Sequence, residues 1–163
     1  MGQTRALKIG LEGRLKVRVD PKWKIMEWIN EHSCTLINRG QAGKDGKTRY
    51  RRIVGKESSQ PVVEMGEQVL VQPKRSPKTN RKQSLAARWK HGTWVGMTLN
   101  SNEHIIVIEG GEVAMRARTV KRKSMDLRWD HDAVSKITAT PRYPNPRHHR
   151  RQSDQKMPLE EWW

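Results

Sequence analysis

Short apolar runs with the spacing of β-strands fill the stretch from Arg88 to Asp130. The run from Ile105 to Ile108 is apolar at every position, which is typical of a strand that is covered on both faces. Gly110 and Gly111 separate this run from the next one. Two glycines between apolar runs predict a hairpin with a two-residue turn, because such a turn requires positive φ at both positions.

Alternation along each run predicts which side chains point inward. An earlier run, from Gln68 to Gln72, places Val69 and Val71 inside, and a fifth run is expected from Thr119 to Lys123. The run after Arg88 has one side with Trp89, Val95, Met97 and Leu99, and an outward side with Lys90, Trp94 and Gly96. The run after Gly111 has Val113, Met115 and Ala117 inward, and Arg116 and Arg118 outward. Five such short strands predict a small, bent β-barrel of the SH3-like type over residues 61–130.

The first 60 residues have the spacing of helices instead. Leu7, Leu11 and Leu15 recur at helical intervals. Asp20 and Pro21 are typical of the cap and first position of a second helix, which Gly40 ends. Its apolar face is predicted to carry Ile25, Trp28, Ile29, His32 and Leu36. We expect residues 1–60 to be a helical pair followed by a basic loop, with one helical turn from Tyr50 to Val54.

Composition changes after Asp130, where prolines alternate with arginines and no apolar period continues. This pattern predicts a disordered basic tail over residues 131–163. The whole chain is therefore expected to be α+β, with a helical part, a barrel and a tail. The apolar face of the helical pair, with Trp28 and Ile29, is a candidate surface for self-association.

The charge of the chain points to its partner. Its 163 residues carry a formal net charge of +16, and such an excess favours a polyanion, above all nucleic acid. The sequence has no run of 18 apolar residues, so no membrane partner is expected. Cations and an aromatic side chain on the outward strand faces form the candidate nucleic-acid site: Arg88, Lys90, Trp94, Arg116, Arg118, Lys121, Arg122 and Lys123. Trp94 is the predicted stacking group.

Catalytic motifs are weak by comparison. The segment from Gly43 to Thr48 departs from a phosphate-binding loop, because Gln41 stands where that loop needs its first glycine. Cys34 is the single cysteine, and it is predicted to be a small core residue; His32 is predicted to pack on its helix face. The acidic residues of the first half have basic neighbours. We therefore expect no catalytic residues, no metal site and no cofactor.

Two blocks of the sequence resemble the C-terminal part of a copia-like retrotransposon integrase within a retrovirus-related Pol polyprotein. The first block, from Gly2 to Gly55, includes GQTRALKIGLEGRL and resembles the last helices of an integrase core. The second includes MGEQVLV, at Met65 to Val71, and the strand-rich stretch from Arg88 to Asp130. It resembles the β module that follows that core. Met65 stands where an aromatic residue is usual in the family.

The resemblance implies an RNase H-like origin for the helices and DNA binding during DNA integration for the β module. The family's metal-binding carboxylates lie upstream of the GQTRALK-like segment, so no residue of this chain matches them. The resemblance thus implies a truncated integrase that is not itself an enzyme and that resides in the nucleus or in a cytoplasmic particle. The alternatives are an SH3-like module that binds a peptide through Trp89, Trp94 and Trp129, a processed piece of a full integrase, and a decayed reading frame.

Overall fold

A computed structural model describes residues 2–58, 63–73, 88–99 and 101–145. The helices in these ranges are α1 (Gly2–Leu15), α2 (Ile25–Gly40), α3 (Arg49–Val54) and α4 (His131–Ser135). The strands are β1 (Gln68–Val71), β2 (Lys90–Met97), β3 (His104–Ile108), β4 (Val113–Ala117) and β5 (Val120–Arg122). The α+β class and the five strands agree with the prediction.

All five strands join one antiparallel sheet in the order β4-β3-β2-β1-β5. The sheet is not closed, so the predicted barrel is not formed. Only Arg118 and Thr119 connect β4 to β5, although these strands are the two edges of the sheet. A link from Ala117 to Val120 spans at most about 11 Å, so the sheet must curl strongly to bring its edges that close.

Each face of the curled sheet has its own core. The inner core lies within the curl, where the buried side chains include Val69, Val71, Trp94, Ile106 and Ala117. The outer core lies between the sheet and the helices, and its members include Leu11, Leu15, Trp28, Ile29, Val95 and Val107. Strand β3 contributes to both cores, as its continuous apolar pattern predicted. The inward positions predicted for β1 and β4 are confirmed as well.

The apolar faces of α1 and α2 pack against other parts of the same chain. Leu11 and Leu15 of α1 and Trp28 and Ile29 of α2 are buried in the outer core, against Val95 of the sheet. Trp28 and Ile29 therefore do not offer the exposed surface that was expected to drive self-association. No helix in the described ranges is long and apolar enough to cross a membrane.

Helix α2 starts later than its predicted cap. The carboxylate of Asp20 accepts a hydrogen bond from the backbone N–H of Lys22 at 2.8 Å and so closes a turn. The helix then begins at Ile25, and no side chain caps its first turn. Asp20 and Pro21 signal a change of chain direction here, which is the other common use of these residues. The predicted end at Gly40 is confirmed.

A β-bulge in β2 changes the side-chain alternation. Trp94 pairs with Ile106 and Gly96 pairs with Ile105, so Val95 is the additional residue. Before the bulge, Lys90 and Trp94 share a side, as predicted. Beyond it, Met97 joins the inner core with Trp94, whereas Val95 belongs to the outer core. The predicted grouping of Met97 with Val95 is therefore wrong, because alternation does not continue through a bulge.

The turn between β3 and β4 is longer than predicted. Ile108 pairs with Val113, so four residues connect the strands, and Glu109–Gly111 form a 3₁₀ turn. Both glycines have the predicted positive φ, 68° at Gly110 and 99° at Gly111. A β-carbon at Gly111 would lie 2.6 Å from the backbone oxygen of Lys136. Glycine is therefore needed here both for the turn and for a close approach of the following segment.

That following segment corrects the prediction of disorder. Val134, Ile137 and Ala139 are buried in the outer core. The indole N–H of Trp28 donates to the Ala139 carbonyl at 2.8 Å, and the Gly111 carbonyl accepts from the Thr138 N–H. Residues 131–145 are thus an ordered part of the fold, whereas the rest of the predicted tail, 146–163, lies outside the described residues. Buried apolar side chains and these hydrogen bonds together attach the segment to the fold, although its apolar residues show no regular spacing.

Candidate nucleic-acid interface

Three exposed cations lie at the end of the sheet where β2 begins, and a fourth lies on the connection from β4 to β5. We call these four the basic rim: Arg88, Lys90, Lys121 and, on the connection, Arg118. Lys90 pairs with Val71, which pairs with Val120 on the edge strand β5. Neighbouring strands are about 5 Å apart, so the backbone of Lys90 lies roughly 10 Å from that of Val120. Lys121 follows Val120 in the sequence, and Arg118 stands two residues before it. The curl of the sheet thus gathers cations from both sides of the connection between β4 and β5.

Trp89 is the aromatic member of this end of the sheet. Its ring is partly exposed, and the ammonium group of Lys121 lies 4.4 Å from the ring centroid. This distance is typical of a cation–π contact, which holds both side chains at the surface. An exposed indole next to ammonium groups can stack on a nucleobase while the cations contact phosphates.

Trp94, the predicted stacking group, is instead fully buried. Its indole N–H donates to Nδ1 of His104 at 3.0 Å, and the His32 ring meets it edge-on with centroids 5.2 Å apart. The predicted alternation correctly placed Trp94 beside Lys90. The outward assignment was wrong because that side of the sheet is the inside of the curl, where only the strand end remains exposed.

Arg122 is committed to an internal ion pair. Its guanidinium donates two hydrogen bonds, of 2.7 and 3.0 Å, to the carboxylate of Glu67, which is fully buried. Arg128 lies 3.6 Å from the same carboxylate. The hydrogen bonds to Glu67 raise the pKa of Arg122. Arg122 therefore neutralises a buried charge with its guanidinium, although its side chain remains 31% exposed.

The remaining predicted cations lie in mixed surroundings. Lys123 is partly buried, and burial lowers the pKa of its ammonium group although Asp130 acts in the opposite direction. Arg116 is exposed on the outer side, where its charge partly offsets the rise that burial causes in the pKa of Glu31. Within the basic rim, Arg118 is 85% exposed and lies 3.7 Å from Glu103, which precedes β3. The eight predicted residues thus do not form one continuous patch.

The weak catalytic motifs have structural explanations. The segment 43–48 is a hairpin turn, in which the Gly43 N–H donates to the Lys47 carbonyl and Asp45 pairs with Arg52. That pairing lowers the pKa of Asp45. His32 is buried in the helix face as predicted. Cys34 is exposed, so its predicted core position is wrong.

One trio in the described ranges could share a cation: Asp130, His131 and Asp132, with ligand atoms within 4.8 Å of one another. All three side chains are exposed. The Asp130 carboxylate already accepts hydrogen bonds from the N–H groups of Asp132 and Ala133 and so caps α4. The trio is explained by this capping role, and we assign no metal to it.

The sequence did not predict that the ring of Trp89 is partly exposed and contacts Lys121. The residue stands just before β2, and its alternation places it on the outer side, which the helices cover farther along the strand. Whether the ring is exposed therefore depends on how far along the strand the helices extend. The pairing of Leu70 with both His91 and Lys121 places Lys121 on the same side as Trp89. The sequence shows no sign of this pairing, because the two residues are 32 positions apart.

No protein-family model matches the chain, and no curated protein or solved structure matches it either.

Proposed function

We propose that the chain binds nucleic acid, with little sequence preference, through the basic rim and Trp89. The contact of Lys121 with the Trp89 ring, beside the exposed Arg88 and Lys90, is the observation that carries this proposal. Ammonium and guanidinium groups attract phosphates and release counterions, while an indole offers a stacking surface that every base can use. The net charge of +16 adds a long-range attraction for any polyanion.

The resemblance to copia-like integrases suggests DNA as the polymer and DNA integration as the process. In this proposal the curled sheet is an opened SH3-like module, and α1 and α2 are the remnant of an RNase H-like core. The strand order and the two-residue link between β4 and β5 support a relation to such a barrel. The chain would act as a binding module without catalysis, in the nucleus.

The salt dependence of binding tests the proposal. We expect affinity for a DNA duplex to fall steeply with salt, with a log–log slope of roughly −0.9 for each phosphate contacted. The double variant Lys90→Ala, Lys121→Ala should reduce the steepness of that slope by about 1.8, because two phosphate contacts are lost. Titrations of a labelled duplex at several salt concentrations measure this change.

The matched control is the double variant Lys44→Ala, Lys47→Ala, which removes the same charge from an exposed turn. It should leave the slope nearly unchanged. An equal loss in both variants would mean that binding follows net charge alone and would reject the basic rim as the site. A flat salt response of the folded wild-type chain would reject nucleic-acid binding through phosphates altogether.

A further inference from the structure

A depression of about 650 Å³ lies on the outer side of the sheet, close to the basic rim. Leu70 of β1 and His91 of β2 lie on its floor, and residues 123–130 form its wall. We call this space the outer depression. Its volume lies within the range of about 300–1,000 Å³ that small-molecule sites in proteins occupy, so it can accommodate a single nucleoside.

More of the lining of the outer depression is apolar than polar. Leu127 on the wall is 60% exposed, and the ring of Trp129 beside it is partly exposed. The charges of the lining nearly cancel, since Lys123 faces Asp126 and Asp130. A phosphate is therefore attracted far more strongly to the basic rim than to this space, which suits an uncharged, largely apolar group instead.

The outer depression adjoins the aromatic part of the candidate interface. Leu70 pairs with His91 on one side and with Lys121 on the other, so these three side chains project from the same face of the sheet. Neighbouring strands are about 5 Å apart. The ammonium group of Lys121 in turn lies 4.4 Å from the centroid of the Trp89 ring. A phosphate held by Lys121 therefore brings its own nucleotide next to Trp89 and to the floor of the depression.

We propose that the outer depression takes an unpaired nucleobase from the strand whose phosphates contact the basic rim. This inference rests on the proposed nucleic-acid binding and deepens it, because it names single-stranded segments as the preferred ligand. In a duplex the bases are paired and stacked, so a base reaches such a space only after it has been unpaired and unstacked. A single strand presents the faces of its bases without that cost.

Strands without bases separate the contribution of the bases from that of the phosphates. The full chain is titrated with a labelled DNA strand of mixed sequence, with the same strand made of abasic nucleotides, and with the duplex. At equal salt the normal strand should bind about 5- to 100-fold more tightly than the abasic strand, the range that contacts of one base provide. The two strands should show the same salt slope, because their phosphates are the same. The duplex should bind more weakly than the normal single strand.

The variant Leu127→Ser tests whether this gain comes from the outer depression. It changes an exposed side chain without altering charge, so the fold and the salt slope should remain. Affinity for the normal strand should fall about three- to ten-fold, because apolar contact with the base is lost, and affinity for the abasic strand should not change. The matched control is Ile53→Ser, the same kind of change at an exposed position of α3, and it should leave both affinities unchanged.

The failure of this inference differs from the failure of the proposed function. Equal affinities for normal and abasic strands, with a steep salt dependence, would overturn the base site and leave phosphate binding by the rim intact. Tighter binding of the duplex, or an equal effect of Leu127→Ser and Ile53→Ser, would also overturn it. If none of the three nucleic acids bound to the folded chain, the proposed function itself would fail, and the base site with it.

Discussion

The start and the centre of strand β2 have similar residue types and opposite environments. Trp89 precedes the strand and, with Lys90 and His91 at its start, reaches the surface, whereas every residue from Gly92 to Met97 is buried. The centre lies between the inner core and the helices, but the start extends beyond them. The tryptophan beside a cation at the start of the strand is therefore accessible from solvent, whereas Trp94 at the centre is part of the core.

Truncation of the two tryptophans should show the largest difference. Trp94→Ala is expected to lower the free energy of unfolding by about 3–5 kcal/mol, because it leaves a large cavity in the inner core. Trp89→Ala should cost less than about 1 kcal/mol, since its ring is partly exposed. Urea unfolding of both variants measures these losses. Similar losses would remove the distinction between the two parts of the strand.

Arg122 tests whether the edge strand β5 also combines a residue that stabilises the fold with a residue that is free to bind. Arg122→Ala leaves the buried Glu67 with the more distant Arg128 as its one cation, beside a hydrogen bond from the Glu64 N–H, so we expect a loss of about 3 kcal/mol in unfolding free energy. The adjacent Lys121→Ala should change stability by less than about 0.5 kcal/mol and should instead weaken nucleic-acid binding. A stable Arg122→Ala variant with weakened binding would return Arg122 to the interface.

Low pH should destabilise the fold at the centre of β2, because the ring of His32 contacts the ring of Trp94 there. Burial, helped by the charge of Arg39, lowers the pKa of His32 to about 4 from 6.5. Below pH 6.5 the unfolded chain therefore binds a proton that the folded chain does not. The contribution of His32 is present in full above pH 6.5 and is lost as the pH falls towards 4, by about 2 kcal/mol between pH 7 and pH 5.

Urea unfolding at these two pH values measures that loss. His32→Leu should reduce the pH dependence by the same amount, and the exposed His91→Gln should leave it unchanged. His104, whose pKa burial also lowers, keeps its own pH dependence in both variants. If His32→Leu followed the wild-type pH curve, the protonation of His32 would not be what acid changes in the centre of the strand.

Much of the fold follows from local pattern. The continuous apolar run of β3 identifies a strand with two covered faces, and the positive φ of Gly110 and Gly111 follows from their position between strands. The candidate site was less accessible to such reasoning. Arg88, Lys90, Arg118 and Lys121 are exposed, and their role in binding stays a prediction. The burial of Trp94 and the ion pair of Arg122 with Glu67 were not predicted, since their partners come from distant segments.

The sequence by itself determined the elements of this protein and its charge, because hydrophobic period, turn residues and net charge are local or additive properties. Only the tertiary structure decided that one side of β2 lies inside the curl of the sheet. It also decided that Arg122 forms an ion pair with the buried Glu67 and that residues 131–145 cover the outer core. Each of these depends on contacts between residues far apart in the chain. Local alternation shows which side chains share a face, but the elements that pack against that face determine whether it is buried.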